Sequence, residues 1–414
     1  MNRAVILVEA DRFSEVALAV ASEVKSAGAM WASPMFVAAV DDPGLEKVRR
    51  LEGVVAVTIV GDEQIGVIDG IDWVMSVCIG QRNEWRVGGI GAGATYPAVY
   101  GEPVGVSAPP AIPAAVNLSL TPPNDDLAPT LPGDVVTHAT RALSALSVPV
   151  LAAGNHHQLG VPYETMSPWA EPPWVLAVGA TEDEAGLVEW PQSARGSSAN
   201  PNIGPDILVW GQDRRSASST LGTSFAAARA SLMIVLCRAW LSQVVANVDR
   251  LGNRDFGVPL FGCAVIDRNF SHEEPLLDLA ALPVLATAPE GLVAASNTVA
   301  RLTLKVESLA AQAARVLLEE AARATSQNSD AHLSAPSISL QRLMDFLDGI
   351  TGPMLLRYLG ASDIDPGAAA KEVPLFNAGS AEALWKLVES SMPIWQWDVD
   401  KQTAGLRQQE EVAP

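Results

Sequence analysis

The chain has 414 residues, 49% of them hydrophobic, so it is long enough for two or three domains and can bury at least one large core. Its 47 acidic residues against 27 basic ones give a formal net charge of -20, which disfavours nucleic acid and anionic membrane surfaces as partners. Three cysteines without CxxC spacing indicate neither a disulfide framework nor a zinc site, and we expect no cofactor and no metal.

The N-terminal segment and the hydropathy pattern predict a cytoplasmic protein. The apolar run at residues 4–8 is followed by Glu9 and by no small-residue cleavage site, which argues against a secretory signal. No uninterrupted apolar stretch approaches the roughly 20 residues that span a bilayer. We therefore expect neither a membrane nor a nucleic acid as a partner.

Residues 1–62 are predicted to form a small α+β unit. Strand patterns at 4–8, 35–40 and 54–60 alternate with helical periodicity at 14–26 and 43–51. The expected element order is βαβαβ-like.

Residues 63–270 are predicted to form a mostly parallel sheet with helices on both faces. Apolar strand patterns at 116–120, 148–155 and 174–180 are separated by a helical pattern at 135–146 and by glycine-rich turns. A further helix is expected behind Ser224, up to about residue 241. The Gly- and Pro-rich stretch from 81 to 133 predicts loop.

Residues 271–414 are predicted to be a helical appendage. Amphipathic helical patterns occur at 302–324, 340–359 and 381–388. The tail from Gln402 is rich in polar and acidic residues and is expected to be disordered.

One motif carries candidate chemistry. Gly222-Thr223-Ser224-Phe225-Ala226-Ala227-Ala228 puts a lone serine at a glycine-opened turn before a helix-forming stretch. Such a turn exposes a nucleophile at a helix N-terminus, although a lone serine before a helix is also a common N-cap. The segment resembles the serine motif of the subtilisin-like proteases, the subtilases.

Further segments resemble the subtilase family in the family's order. Val116-Asn117-Leu118-Ser119-Leu120 is similar to the strand that walls the substrate cleft, and Ala152-Ala153-Gly154-Asn155 to the segment that ends in the oxyanion asparagine. Residues 175–180 resemble the family's next strand, and residues 207–211 lie near the turn that precedes the nucleophile. Residues 256–259 and 262–267 resemble the strand that closes the family's core. Leu51-Glu52-Gly53-Val54-Val55-Ala56-Val57 resembles the inhibitory propeptide. The resemblance implies a subtilisin-like α/β fold preceded by a small ferredoxin-like propeptide domain.

The resemblance also assigns site residues. It implies that Ser224 is the nucleophile and that the Asn155 amide, with the Ser224 backbone N–H, forms the oxyanion hole. It implies a substrate-binding surface made of Leu118, Ser119, Leu120, Ala152, Ala153, Gly154 and His156.

The expected base is missing from the sequence. In the family an aspartate and a histidine precede the cleft-wall strand, yet residues 1–137 contain no histidine. Val67-Ile68-Asp69-Gly70 resembles the aspartate strand. A second alignment makes residues 70–74 a later helix of the family and removes the aspartate and histidine region altogether. Ala228 and Arg229 also replace the family's proline and histidine, as would fit a helix whose geometry is no longer held for catalysis.

Three functions remain open at this point. The leading hypothesis is a catalytically impaired pseudopeptidase that binds a peptide or protein partner through the remnant cleft, with the N-terminal domain docked over it. The second is an active serine hydrolase whose base is His156, His157 or a group supplied by a partner. In the third, residues 271–414 carry the function by packing against another protein.

Overall fold

The computed structural model describes about half of the chain, in ranges separated by gaps. The described residues are 2–9, 12–24, 26–29, 35–60, 67–68, 70–71, 74, 113–120, 135–144, 147–155, 166–196, 204–213, 220–250, 311–326, 333–351, 354–355, 379–391, 395–398 and 403–406.

The N-terminal unit is a four-stranded antiparallel sheet with two helices. Its elements are β1 (Asn2–Val8), α1 (Phe13–Glu23), β2 (Ser26–Ala29), β3 (Met35–Val40), α2 (Asp42–Val48) and β4 (Val54–Ile59). The strand order is β2-β3-β1-β4, and all neighbours are antiparallel. The element order is therefore βαββαβ, with one strand more than predicted.

The additional strand β2 lacks a sequence signal. Its residues, Ser26-Ala27-Gly28-Ala29, are small and have low strand propensity, so pairing with β3 defines the strand. The prediction of a helix as far as residue 26 was wrong for this reason, since α1 ends at Glu23.

The central part of the chain forms a four-stranded parallel sheet. Its elements are β5 (Ala115–Leu118), α3 (Val135–Ser144), β6 (Val148–Ala152), β7 (Leu176–Thr181), β8 (Ile207–Trp210) and α4 (Thr223–Arg250). The strand order β5-β6-β7-β8 follows the chain, and every neighbouring pair is parallel. The prediction of an α/β fold is confirmed for this part.

Helices cover both faces of this sheet, because buried apolar side chains alternate along the strands. On β6, Val150 and Ala152 pack into the same cluster as α4, whereas Leu151 packs into the cluster of α3. On the α4 side the contact residues include Ala226 and Ala230, which are fully buried. Such small side chains let the helix lie close to the strands.

Helix α4 is unusually apolar for its length. The segment Thr223–Gln243 is long and apolar enough to cross a membrane on length and composition alone. Half of it is buried inside the structure, where it packs on the sheet and on the C-terminal helices. Burial in the core is sufficient to account for its composition.

The C-terminal helices share the core of the parallel sheet. They are α5 (311–326), α6 (Leu340–Gly349) and α7 (Ser380–Ser391). Leu317, Leu343 and Leu384 belong to the same buried cluster as β6, β7, β8 and α4. A domain boundary at 270/271 stays a prediction, because residues 251–310 lie outside the described part.

The sheet continues past β8 into the C-terminal region. Leu208 N–H donates to the Pro336 carbonyl at 2.8 Å, and Ile338 N–H donates to the Leu208 carbonyl at 2.9 Å. Ser337 thus forms a parallel bridge with Leu208. A short strap of residues 336–338 therefore covers the β8 edge.

Two short strands lie near the C-terminus. β9 (Trp395–Asp398) and β10 (Thr403–Leu406) pair antiparallel. The prediction of disorder from Gln402 is wrong for residues 403–406. The alternation of Trp and polar residues in Trp395-Gln396-Trp397-Asp398 is a strand pattern, and it gives β10 a partner.

The N-terminal unit packs against the central domain. Val5, Leu7 and Met35, from one face of its sheet, lie in a single buried cluster with α3 and with Leu151 of β6. Its other face packs on its own helices. The two units therefore share an apolar interface.

Candidate active site

Ser224 lies in the first turn of α4. Gly222, buried just before the helix, donates its N–H to the Gly211 carbonyl at 2.9 Å and accepts from Phe225 N–H at 3.1 Å. The Ser224 backbone N–H belongs to the first helical turn, where N–H groups have no intrahelical acceptor. Among the described residues it has no acceptor, so it is free to donate to a ligand oxygen.

Asn155 is held by Thr223, the residue before Ser224. Its Oδ1 accepts from the Thr223 backbone N–H at 3.0 Å and from Thr223 Oγ1 at 2.8 Å. Thr223 Oγ1 in turn accepts from Gly154 N–H at 3.2 Å. Asn155 therefore caps α4 with its oxygen.

The capping bond leaves the amide nitrogen of Asn155 as a donor. Within the described part of the chain, Nδ2 has no acceptor, and it lies beside Gly222, where an added Cβ would be 3.5 Å from it. Among the residues that the structure describes, the Asn155 amide and the Ser224 N–H are thus two donors without an acceptor at the N-terminus of one helix. Two donors at one helix N-terminus suit the stabilisation of an oxyanion. The catalytic role expected of these two residues stays a prediction.

The cleft-wall segment contacts Ser224 through its backbone. Ser119 Oγ donates to the Ser224 carbonyl at 2.9 Å, and Asn117 Nδ2 donates to Ser119 Oγ at 2.9 Å. Ser224 Oγ lies 3.5 Å from the Ser119 carbonyl, which is long for a hydroxyl hydrogen bond. Leu120, next along the wall, is exposed.

Residues 152–154 line the site, and their backbone groups form hydrogen bonds within the protein. Ala153 donates to the Val178 carbonyl at 2.9 Å and accepts from Ser167 N–H at 2.7 Å. The Gly154 carbonyl accepts from Ala194 N–H at 3.0 Å. Gly154 has φ +122, a conformation that favours glycine, and the turn it makes leads to Asn155. These residues shape the site while their own polar groups stay paired.

No described group can serve Ser224 as a base. Among the described residues, the Ser224 hydroxyl has one hydrogen-bond partner, the backbone carbonyl of Ser119. A carbonyl does not take up a proton at neutral pH. His138, the one histidine in the described ranges, lies on α3, which covers the sheet face opposite α4. Asp69 and His156 both lie outside the described residues, and the strand expected around Asp69 was wrong, because residues 67, 68, 70 and 71 are helical.

Arg229 has a role that the sequence analysis missed. Its Nη1 donates to the Trp210 carbonyl at 2.7 Å, Nη2 donates to the Gln212 carbonyl, and the guanidinium stacks 4.5 Å from the Trp210 ring centroid. Gln212 pairs with Leu221, directly before the serine turn. Arg229 therefore helps to hold the segment directly before that turn.

Thr223 and Asn117 were also missed. Thr223 is 1% exposed and connects Gly154, Asn155 and α4, whereas Asn117 lies on the exposed side of β5. The signal for Thr223 was in the motif itself, since a threonine directly before the serine places a hydroxyl at the start of the helix. Nothing in the sequence around Asn117 indicated its bond to Ser119.

The described residues offer no cluster of three or more His, Cys, Asp or Glu side chains that could hold a metal ion. Cys237 is fully buried in α4, and burial raises the pKa of its thiol, so it is not a nucleophile candidate.

Comparison with known proteins identifies one relationship. The sequence model of the Subtilase family matches residues 58–245, just under half of the chain, a span that includes Ser119, Asn155 and Ser224. No curated protein and no solved structure matches the chain significantly. The family match and the parallel sheet with helices on both faces agree on residues 115–245. The chain therefore carries a subtilase-family domain.

Proposed function

We propose that this protein is a catalytically impaired subtilase-fold protein that binds a peptide or protein partner through the remnant cleft. One observation carries the proposal: Ser224 keeps its position beside two oxyanion donors, while its hydroxyl has only a carbonyl as a described partner, at 3.5 Å. Acyl transfer needs a base within hydrogen-bond reach of the nucleophile. The lack of any histidine in residues 1–137 agrees with this assignment.

The cleft wall offers a place for an extended peptide. β5 is the first strand in the order β5-β6-β7-β8, and no described strand pairs with its outer edge. An extended peptide adds to such an edge through main-chain hydrogen bonds, with side chains contacting the neighbouring surface. Leu118, Ser119 and Leu120 would line this peptide, and the two oxyanion donors would bind a carbonyl or carboxylate oxygen.

The N-terminal unit is proposed to act as a retained, propeptide-like domain. Its βαββαβ order is that of a split βαβ unit, and its apolar contact with α3 ties it to the central domain. Without a working nucleophile the unit would not be cleaved off by the protein itself. We propose that it stays attached and that the protein is cytoplasmic.

Covalent labelling of the full chain with a fluorophosphonate tests this function. We expect no stoichiometric adduct by intact-mass measurement, because the Ser224 hydroxyl is not deprotonated. The matched control is Ser224→Ala, which should give the same spectrum as the native protein. Stoichiometric labelling that is lost in Ser224→Ala would overturn the proposal.

A second function is favoured by the retained donors. The Asn155 amide and the Ser224 N–H would stabilise an acyl-transfer oxyanion if a base were supplied by His156, His157 or a partner protein. In that case His156→Ala or His157→Ala abolishes peptide cleavage while the fold is retained. Unchanged peptide cleavage in both variants would exclude the hypothesis that His156 or His157 of this chain is the base.

A further inference from the structure

A pocket of about 160 Å³ lies where the C-terminal helices meet the parallel sheet. Val209 on β8, Met233 on α4 and Ile338 in the strap are buried and form its floor. Leu340 on α6 and Trp385 on α7 are half-buried and form its rim, so a ligand can enter from solvent. Small-molecule sites are commonly concave and mostly apolar in this way.

The Arg229 guanidinium lines the pocket, but its hydrogen bonds are made within the protein. Its Nη1 donates to the Trp210 carbonyl at 2.7 Å, and Nη2 donates to the Gln212 carbonyl. The guanidinium also covers the Trp210 ring, 4.5 Å from the ring centroid. Arg229 and Trp210 therefore bind each other rather than a ligand.

The other polar side chains of the described lining also have partners within the protein. Ser339 Oγ accepts from Arg342 N–H at 3.2 Å and caps α6. Glu184 is exposed and already interacts with another group of the protein. Its negative charge is opposed by the positive charge of Arg229 on the same pocket. A charged ligand would therefore lose hydration without gaining a counter-charge of its own.

The volume of the pocket limits the size of the ligand. A cavity of roughly 150 Å³ lined by apolar side chains is known to stay dry and to bind benzene. The pocket, at about 160 Å³, therefore has room for one six-membered ring but not for two fused rings.

We propose that this pocket binds a small neutral apolar molecule with a single six-membered ring. Binding removes the ring and the side chains of Met233, Leu340 and Trp385 from water, and this burial supplies the free energy. The ligand would contact β8, α4, α6 and α7 at once and so stabilise the packing of the C-terminal helices on the sheet. Ser224 is not among the described lining residues, so the proposal does not depend on the function of its cleft.

Titration of the full chain with toluene, benzylamine and benzoate, followed by NMR, tests the chemistry. These ligands share a phenyl ring and differ in charge. Toluene should bind saturably and roughly tenfold or more tightly than either charged ligand, because the pocket offers no unopposed counter-charge. Naphthalene should bind more weakly than toluene, because its second ring does not fit. No saturable binding of toluene up to its solubility, or a charged ligand or naphthalene binding as tightly, would overturn the proposal.

A pair of variants tests the location. Leu340→Trp places a larger side chain at the rim and should abolish toluene binding. Leu187→Trp is the matched control, because Leu187 is 48% exposed and is not among the described lining residues, so binding should be unchanged. Retained binding in Leu340→Trp with a native circular dichroism spectrum would contradict the assignment.

A measurement on the native chain makes the test independent of the folding of Leu340→Trp. Intermolecular nuclear Overhauser effects should connect the ring protons of toluene with the methyl groups of Met233 and Leu340. Effects confined to methyl groups outside the pocket would overturn the proposal.

Discussion

At the scale of single residues, Thr223 organises the site. Its hydroxyl donates to Asn155 Oδ1 and accepts from Gly154 N–H, and it is 1% exposed. Thr223→Val keeps the shape of the side chain but leaves the Gly154 N–H buried without an acceptor. We expect the free energy of unfolding to fall by about 1–3 kcal/mol, measured by urea denaturation.

The control for this change is Thr58→Val on β4. Thr58 has no described side-chain hydrogen bond and is half-buried, so its replacement should shift the free energy of unfolding by no more than about 0.5 kcal/mol. Equal losses in the two variants would show that the Thr223 hydroxyl does not organise the site.

The positions of some site residues could be predicted from the sequence. Ser224, Asn155 and Ser119 were predicted to lie together, because each stands in a motif with its own family resemblance, and the structure brings them together. The hydrogen bonds of Arg229 to the Trp210 and Gln212 carbonyls could not be predicted, because every residue has a backbone carbonyl and the sequence does not show which one accepts.

At the scale of elements, the strap at 336–338 is held to α5 by one serine. Ser326 Oγ accepts from Ser337 N–H at 2.6 Å and donates to the Ser337 carbonyl at 2.9 Å. Ser326→Ala removes both bonds next to a fully buried residue. We expect a loss of about 1–3 kcal/mol in the free energy of unfolding and faster amide exchange at Leu208 and Ile338.

Ser22→Ala is the matched control for the strap. Ser22 Oγ donates to the Ala19 carbonyl on the exposed face of α1, so water replaces the lost bond. Its effect should stay within about 0.5 kcal/mol, with no change in exchange at Leu208. Unchanged exchange at Leu208 in Ser326→Ala would contradict the role of this serine.

Element boundaries followed from the sequence where the pattern was strong. β3 was predicted at residues 35–40 and lies at Met35–Val40, because Met35-Phe36-Val37-Ala38-Ala39-Val40 is an unbroken apolar run. The partners of the C-terminal helices were not predictable. An amphipathic pattern shows that a helix has a buried face, but it does not show that Leu317 and Leu343 pack on the parallel sheet.

At the scale of the whole molecule, the apolar contact of the N-terminal unit with α3 predicts that the two units unfold together. Met35 is fully buried in the shared cluster, so Met35→Ala should lower the free energy of unfolding by roughly 2–5 kcal/mol. Tryptophan fluorescence and circular dichroism should report one common transition.

Val55→Ala provides the comparison, since Val55 is 57% exposed on β4 and its truncation should change stability by no more than about 0.5 kcal/mol. A separate early transition of the N-terminal unit in the native protein would show that it is not part of the same cooperative unit.

We propose that the subtilase-family domain has kept two oxyanion donors and has lost the base for Ser224. The most direct test compares kcat/KM for hydrolysis of an activated peptide ester by the native chain and by Ser224→Ala. We predict equal values, because removing a hydroxyl that is never deprotonated changes nothing in turnover. A native value roughly a thousandfold or more above that of Ser224→Ala would show that Ser224 has a working base, because complete triads lose about that much or more when the serine is removed.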